Sequence, residues 1–160
     1  MDNTDAKLLA LMQHDAGTGH AELAQAVGLS VAGVHKRLKR LETNGLIRKT
    51  VAQLDREKLG LDLLCFLSVS FKTNTEPSNV AELRRATASL PEVLECYSLT
   101  GSQDAILKVI VRDHKGLREF LTRLSATQNV LDRIQTSIVL EEIKETHELP
   151  LLSSEANENL

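Results

Sequence analysis

Residues 21–46 read AELAQAVGLS VAGVHKRLKR LETNGL, and this stretch decides the fold of the first half of the chain. Its apolar residues recur three or four positions apart, as on one face of a helix, in two runs. The first run is Leu23, Ala24 and Val27, and the second is Val34, Leu38 and Leu41. Gly28 supplies a sharp turn between the runs, and Ser30 can cap the second helix. The pattern predicts two short helices joined by a tight turn.

The second of these helices is basic on its outer side, which carries His35, Lys36, Arg37, Lys39 and Arg40. An amphipathic helix with a basic outer face, held at an angle by the helix before it, is the arrangement that enters the major groove of DNA. The alternative is that the basic run is only a solvated helix face. The stretch therefore predicts a helix-turn-helix unit.

The charge of the chain is unevenly distributed. The formal net charge of the 160 residues is −3, which by itself argues against nucleic acid. Between Val31 and Lys49, however, there are six Lys or Arg and one acid, Glu42, whereas acids outnumber Lys and Arg from Thr50 onward. A basic cluster on one element suits a chain that docks on duplex DNA at one end only.

The predicted DNA contacts fall into two groups. Residues near the start of the second helix of the pair should lie closest to base edges, with Gly33 allowing close approach to the groove floor unless it is merely a tolerated surface glycine. Arg37, Lys39 and Arg40 should contact phosphates, or in part pair with Glu42 and Asp55. Arg48 and Lys49 should reach the backbone from a wing. The predicted DNA-binding set is Ser30, Ala32, Gly33, His35, Lys36, Arg37, Lys39, Arg40, Arg48 and Lys49.

The flanking sequence completes an N-terminal domain, predicted over residues 1–54. A preceding helix has Leu8, Leu9, Leu11 and Met12 as its apolar face and Asn3 or Thr4 as its cap. Asn44-Gly45 ends the third helix, and Leu46–Leu54 is predicted to form an extended strand behind it. Charged residues 55–61 are predicted to be a linker.

The hydrophobic period changes from 3.6 to 2 in the second half, residues 62–150. The predicted elements are a strand at 63–71, a helix at Val80–Leu90, strands at Val93–Leu99 and Ala105–Val111, a helix at Leu117–Ser125 and a long last strand at Val130–Ile143. This β-α-β-β-α-β order predicts a ferredoxin-like domain and an α+β fold for the whole chain. Residues 151–160 are predicted to be a polar tail.

Several classes of protein are disfavoured by the sequence. The chain has no apolar run long enough to span a bilayer and no secretory signal pattern, so a cytoplasmic location is expected. Cys65 and Cys96 lie in apolar runs and are expected to be buried. The sequence has no nucleophile–base set, no phosphate loop and no metal-ligand spacing, so we expect no catalytic residue, metal or cofactor.

The order of these pieces resembles the Lrp/AsnC (feast/famine) family of transcription regulators over nearly the whole chain. The matching pieces are Asp2-x-x-Asp5-x-x-Leu8-Leu9, Glu22-Leu23-Ala24, Val27-Gly28-Leu29-Ser30, Arg37–Glu42, Gly45-Leu46-Ile47, Pro91-Glu92-Val93, Cys96-Tyr97, Thr100-Gly101-x-x-Asp104 and Val139–Lys144. The resemblance implies a winged helix-turn-helix domain that binds double-stranded DNA, joined to an effector (RAM) domain that binds a small amino acid. It also implies homodimers that assemble further, often into octamers, with effectors between dimers.

A dimer is also expected from the residues themselves. The first predicted strand is apolar on both faces, and a domain with only two helices leaves one sheet face uncovered, which favours a second copy of the chain on a two-fold axis.

The candidate effector site is the turn between the two middle strands. Gly101 would let backbone amides face a carboxylate, and Asp104 would receive an ammonium group; the alternative is a plain hairpin turn in which Asp104 caps its own backbone. Thr136 and Ser137 on the last strand add hydroxyls, or are ordinary strand surface. The predicted effector set is Thr100, Gly101, Ser102, Gln103, Asp104, Thr136 and Ser137.

The leading functional hypothesis is therefore a DNA-binding regulator modulated by an amino acid. Two alternatives remain at this point. One is an enzyme resembling the sirohaem decarboxylases, which share the two-domain shape but usually carry a Trp-containing motif, while this chain has no Trp. The other is an amino-acid sensor that has lost DNA binding.

Overall fold

The computed structural model describes residues 1–72, 76–126 and 131–151, which form two compact units. Unit 1 contains residues 1–53 together with the segment from Lys144, and unit 2 contains Leu54–Ile143. The predicted linker, 55–61, thus lies inside unit 2, and residues 144–150, which the sequence pattern assigns to the sheet domain, lie in unit 1. The predicted tail lies outside the described residues except for Leu151.

Unit 1 is built from three helices, α1 (Asn3–His14), α2 (His20–Val27) and α3 (Val31–Thr43). Their apolar faces meet in one core, because the predicted apolar spacing places each stripe inward. The core residues are Leu8, Leu9, Leu23, Ala24, Val34, Leu38 and Leu41. Gly28 ends α2 at φ +69°, a left-handed conformation that glycine adopts without the clash a Cβ would cause. The helix-turn-helix predicted from the sequence is confirmed.

The start of α1 differs from the prediction, because the cap is Asp2 rather than Asn3 or Thr4. The Asp5 N–H donates to Asp2 Oδ1 at 2.8 Å, and the Asp2 N–H donates to Asp5 Oδ2 at 3.4 Å. The two carboxylates therefore cap each other's backbone in a reciprocal box.

The segment after α3 does not form the strand that the sequence predicted over Leu46–Leu54. The described part of unit 1 contains no β-strand, so this segment has no neighbour with which to form a hydrogen-bonded ladder. Within unit 1, the segment from Lys144 packs on the helices: the Leu149 N–H donates to Gln13 Oε1 at 2.7 Å, and Leu151 packs against the core.

Unit 2 is a four-stranded antiparallel sheet with two helices. Its elements are β1 (Leu63–Phe71), α4 (Glu76–Ala88), β2 (Val93–Ser98), β3 (Ala105–Val111), α5 (His114–Ala126) and β4 (Leu131–Ile138). The strand order is β2-β3-β1-β4, with every neighbouring pair antiparallel. The predicted β-α-β-β-α-β order and the α+β fold are confirmed.

Both helices cover one face of the sheet. Odd-numbered residues of β1 and β3 point to that face and are buried against α4 and α5 in a single core. The members at its centre are Cys65, Leu67, Val69, Leu107, Val109, Phe120 and Leu124. The even-numbered residues of the same strands form the other face, which we call the open face.

Three sequence-based details of unit 2 are wrong. The last strand ends at Ile138 instead of Ile143, because β4 pairs with β1 and Val139 makes the last backbone bond, to the Leu64 carbonyl at 2.9 Å. Helix α4 begins four residues before Val80, which is compatible with Pro77 because the first turn of a helix needs no backbone donor. Cys96 is exposed on edge strand β2, whereas Cys65 is buried as expected.

Candidate DNA-binding surface and effector turn

Helix α3 presents one strip of its surface outward. Ser30 accepts a hydrogen bond from the Gly33 N–H at 3.1 Å and caps the helix. Burial of Val34, Leu38 and Leu41 then sets its rotation, so that Ala32, Lys36 and Lys39 lie on the opposite side. All three are exposed, as is His35 beside them. Among the described residues neither Lys36 nor Lys39 forms an ion pair, so both ammonium groups are available to an external anion.

The two arginines of α3 lie on its flank and are bound to α1. Arg37 Nη1 donates to Asp2 Oδ2 at 2.6 Å and to Asp5 Oδ1 at 2.8 Å. Arg40 Nη2 donates to Asp5 Oδ2 at 2.7 Å and to Asp5 Oδ1 at 2.9 Å. The expectation that these cations pair with Glu42 or Asp55 is wrong. Residues 37 and 40 are only three apart, so both turn toward the same neighbouring helix.

The electrostatics of this cluster follow from its geometry. The side-chain hydrogen bond from Arg37, followed by the backbone hydrogen bond from the Asp5 N–H, lowers the pKa of Asp2 below its ordinary value. The same hydrogen bonds, from Asp2 first and then from Asp5, raise the pKa of Arg37. Asp5 is only 3% exposed, and its carboxylate is compensated by two guanidinium groups.

Gly33 faces its own cap. A Cβ added there would lie 3.2 Å from Ser30 Oγ and 3.7 Å from Leu29 Cβ. The missing side chain therefore leaves room for the capping hydroxyl of Ser30. This packing requirement explains a glycine at position 33 without any close approach to the floor of a DNA groove.

The other predicted DNA contacts are also accessible. Arg48 and Lys49 are exposed in the extended segment after α3, where the described residues offer neither an ion-pair partner. The ring of His35 lies 5.7 Å from that of His20 on α2, measured between centroids. The exposed cations of α3, Lys36 and Lys39, and those of the segment after it, Arg48 and Lys49, all belong to unit 1.

The turn between β2 and β3 is tied to the end of β1. Gly101 has φ +118°, and the Leu99 N–H closes the turn on the Asp104 carbonyl at 2.9 Å. Asp104 Oδ2 accepts the Phe71 N–H at 2.7 Å, and the Asp104 N–H donates to the Val69 carbonyl at 3.0 Å. The alternative reading, in which the Asp104 side chain caps its own turn, is wrong, because its carboxylate accepts from the Phe71 N–H on a neighbouring strand instead. Thr100, Gly101 and Ser102 are exposed, while Gln103 and Asp104 are half-buried.

The structure separates the other predicted effector residues from this turn. Thr136 pairs with Leu67 and Ser137 with Phe66, four or five residues along β1 from Phe71. At about 3.3 Å per residue, that is roughly 13–17 Å along the sheet from the Asp104 cap. The two hydroxyls also point to opposite faces, since Thr136 shares the helix-covered face with Leu67 and Ser137 shares the open face with Phe66. Within one chain, the seven candidates do not form one pocket.

Comparison with known proteins identifies the family. Residues 1–48 match the family model described as a winged helix-turn-helix DNA-binding domain, and residues 64–149 match the model of the Lrp/AsnC ligand-binding domain. The chain belongs to the Lrp/AsnC family. It is a DNA-binding transcriptional regulator of the Lrp/AsnC type, with an N-terminal winged helix-turn-helix domain and a C-terminal effector domain.

Three relatives show how completely this regulator matches. The DNA-binding transcriptional activator DecR of Escherichia coli K12 is 38% identical over 94% of this chain and 99% of its own length. The transcriptional regulator FL11 of Pyrococcus horikoshii is 31% identical over 94% and 97%. The crystal structure of regulator NMB0573 from Neisseria meningitidis, solved as an L-Met complex, superposes with a TM-score of 0.88 at 32% identity, covering 94% of this chain and 97% of that one.

Sequence reasoning about this regulator missed the role of Asp2 and Asp5. Their spacing of three before an apolar run is a recognisable capping-box signal, but it carries no information about a helix that follows 30 residues later.

Within the described ranges no helix is long and apolar enough to cross a membrane, and no group of three or more His, Cys, Asp or Glu is placed to hold a metal ion.

Proposed function

We propose that this regulator reads DNA with the exposed strip of α3, with Ala32, His35 and Lys36 nearest to base edges and Lys39, Arg48 and Lys49 on phosphates. The observation that carries the proposal is the rotation of α3, which buries its apolar stripe and leaves Lys36 and Lys39 outward without an ion pair among the described residues. Ser30 and Gly33 act at the cap that starts the strip. A basic helix presented in this way fits the width of the major groove.

The two lysines have different expected signatures, which makes the proposal testable. Lys39→Ala should weaken binding to specific and random duplexes alike and reduce the slope of log K against log salt by about 1, because one phosphate is no longer neutralised. Lys36→Ala should reduce the preference for the operator over random DNA by about 1–3 kcal/mol, because a base contact carries sequence information. The assay is a mobility shift on the DNA upstream of the regulator's own gene and on a shuffled duplex, from 50 to 200 mM salt.

Lys115→Ala is the matched control for this experiment. It removes an exposed lysine from α5, which lies in the sheet domain, and should leave affinity and salt slope unchanged. The absence of any selective shift by the unmodified protein, even at 50 mM salt, would overturn the proposed DNA-binding function itself.

We also propose that the effector is a small amino acid held at the turn 100–104. The exposed Gly101 amide region suits a carboxylate, and the Asp104 carboxylate suits an ammonium group. The related structure from Neisseria meningitidis was solved with L-Met, which supports methionine as the first probe. Calorimetric titration with L-methionine and then with the other amino acids tests the proposal, and the absence of heat from all twenty would refute it.

The separation of Thr136 and Ser137 from the turn indicates what else the effector site needs. If these hydroxyls take part, they come from another copy of the chain, because roughly 13 Å or more of sheet lies between them and the turn in one copy. We therefore propose that effector binding and assembly are coupled, with the homodimer as the basic unit and a higher oligomer, such as an octamer, as the state that completes the site.

The open face of the sheet supports a dimer. Phe66 is 37% exposed and Tyr97 is 54% exposed on this face, which also carries Ile106 at half-burial. Exposed aromatic side chains on a sheet without a covering helix favour packing against a second sheet. We propose no catalytic role, in keeping with a family of transcriptional regulators. A cytoplasmic location stays a prediction from the sequence.

A further inference from the structure

Helix α3 carries four Lys or Arg, but only two of them face outward without an acidic partner in the described chain. The other two, Arg37 and Arg40, share two carboxylates of α1, so the cluster of Asp2, Asp5 and the two arginines is close to neutral. This cluster lies on the same helix that is proposed to read DNA.

We propose that Asp5, assisted by Asp2, is a specificity-determining residue that holds Arg37 and Arg40 away from DNA phosphates. The inference rests on the proposed DNA-binding function and deepens it. Phosphate contacts increase affinity for every sequence equally, whereas base contacts discriminate. By occupying two arginines, the carboxylates lower the affinity for random DNA and leave the base contacts of the exposed strip of α3 to determine which duplex is bound.

Burial explains why the arginines do not simply exchange partners when DNA arrives. Asp5 is 3% exposed and accepts hydrogen bonds from both guanidinium groups as well as from the Asp2 backbone. A buried carboxylate left without a cation is strongly disfavoured, so a phosphate does not readily withdraw both arginines from it. Arg37 is also bound by Asp2, and only 27% of its side chain is exposed.

Arg40 is the arginine that Asp5 restrains most directly. Its side chain is 52% exposed, and both of its hydrogen bonds in the cluster go to Asp5. Without the Asp5 charge, the Arg40 guanidinium would lie one helical turn from Lys36 on the same helix and within reach of a neighbouring phosphate. The cluster thus acts on DNA through the arginines without Asp5 itself contacting DNA.

Asp5→Asn tests this role because it keeps the shape and the capping oxygen but removes the charge. Each additional phosphate contact changes the salt slope by about 0.9, so two released arginines should add about 1.8 per chain. The variant should therefore lose about tenfold more affinity than the unmodified protein when salt rises from 50 to 200 mM. It should also bind random duplex more tightly at 50 mM and show a smaller operator-to-random ratio.

Glu42→Gln is the matched control, because it removes one exposed acid from α3 itself without releasing an arginine. It should give less than half of the slope change of Asp5→Asn; an equal change would mean that net charge alone is responsible and would overturn the proposal. Arg40→Gln provides a second, independent comparison. It should lower the salt slope by about 1 in the Asp5→Asn background and by much less in the unmodified protein.

A purely structural role for the cluster predicts the opposite result. In that case Asp5→Asn would lower thermal stability and weaken binding to both duplexes, with an unchanged slope while the protein remains folded. If Asp5→Asn does not fold, Arg40→Gln in the otherwise unmodified protein decides, because both hydrogen bonds of Arg40 in the cluster go to Asp5. It should leave the salt slope nearly unchanged, and a decrease of about 1 would overturn the inference, because it would mean that Arg40 already contacts a phosphate. Failure of the unmodified protein to bind any duplex would instead refute the DNA-binding proposal on which it rests.

Discussion

Replacement of Asp104 separates a structural role of the effector turn from a role in recognising a ligand. Its Oδ2 atom accepts a hydrogen bond from the half-buried Phe71 N–H at 2.7 Å. A replacement keeps this bond only if its side chain places an oxygen at the same position. Hydrogen bonds to a charged group contribute about 1.5–3 kcal/mol. Asp104→Ala should therefore lower the free energy of unfolding of unit 2 by about that amount. Asp104→Asn, whose amide oxygen still accepts, should lower it by at most about 1 kcal/mol.

The chain supplies its own probe for this measurement. Tyr97 on β2 is the only Tyr in the sequence, and there is no Trp, so tyrosine fluorescence during urea denaturation reports the sheet domain alone. Asp113→Asn is the matched control, because Asp113 accepts the Gly116 N–H at the same 2.7 Å distance but outside the turn. A loss below about 0.5 kcal/mol in Asp104→Ala would refute the structural argument for the cap.

Ligand binding by the same variants then tests the second role. If the Asp104 charge receives the ammonium group of an amino acid, Asp104→Asn should weaken binding at least tenfold, about 1.4 kcal/mol, while the fold persists. Calorimetry with the amino acid that binds the unmodified protein measures this. Unchanged affinity in a folded Asp104→Asn would restrict Asp104 to its structural role and leave the backbone around Gly101 as the recognition element.

Three further predictions concern other parts of the chain. Gly33→Ala should stabilise unit 1 by about 0.5 kcal/mol in thermal unfolding. Helix propensity improves by about 1 kcal/mol, and the exposed Ser30 hydroxyl has to shift slightly to admit the methyl group. A destabilisation of more than about 1 kcal/mol would mean that the methyl group breaks the capping hydrogen bond of Ser30. Phe66→Glu should raise the dissociation constant of the dimer at least tenfold in light-scattering measurements, whereas Thr122→Glu on the outer side of α5 should leave it unchanged. The same dissociation constant in both variants would exclude the open face as the dimer interface. Asp2→Asn should lower the melting temperature near neutral pH and should have no effect in acid. The hydrogen bond from Arg37 lowers the pKa of Asp2 in the folded protein, so the charged carboxylate stabilises the fold above its ordinary pKa of 3.8. This stabilisation disappears as the pH falls through the lower pKa of the folded state. A difference in melting temperature that is as large in acid as at neutral pH would contradict this assignment.

The proposed arginine restraint and the effector proposal concern different units, so their tests do not interfere. Asp5→Asn alters α1 and α3, while Asp104 variants alter the end of the sheet. Tyr97 fluorescence should therefore show the same unfolding of unit 2 in the Asp5→Asn variant as in the unmodified protein.

The sequence alone determined the features that depend on neighbours a few residues apart. Apolar residues three and four apart predict α2 and α3, Gly28 and Ser30 mark their ends, and the alternation beginning at Leu63 predicts β1. Strand ladders were predicted less well: the extended strand predicted at 46–54 has no partner strand among the described residues, and β4 stops opposite the start of β1. A strand needs a neighbour to hydrogen-bond with, and local pattern does not report whether one exists.

Only the tertiary structure decided the contacts that join distant residues. Arg37 and Arg40 follow Asp5 by 32 and 35 positions, and Asp104 follows Phe71 by 33, so no periodicity links the partners. The register of β4 on β1 places Thr136 opposite Leu67 and Ser137 opposite Phe66, away from the turn with which they were grouped. Composition showed that α3 is basic; the packing of α1 against it decided which of its cations are paired with carboxylates, because a buried carboxylate requires a cation beside it.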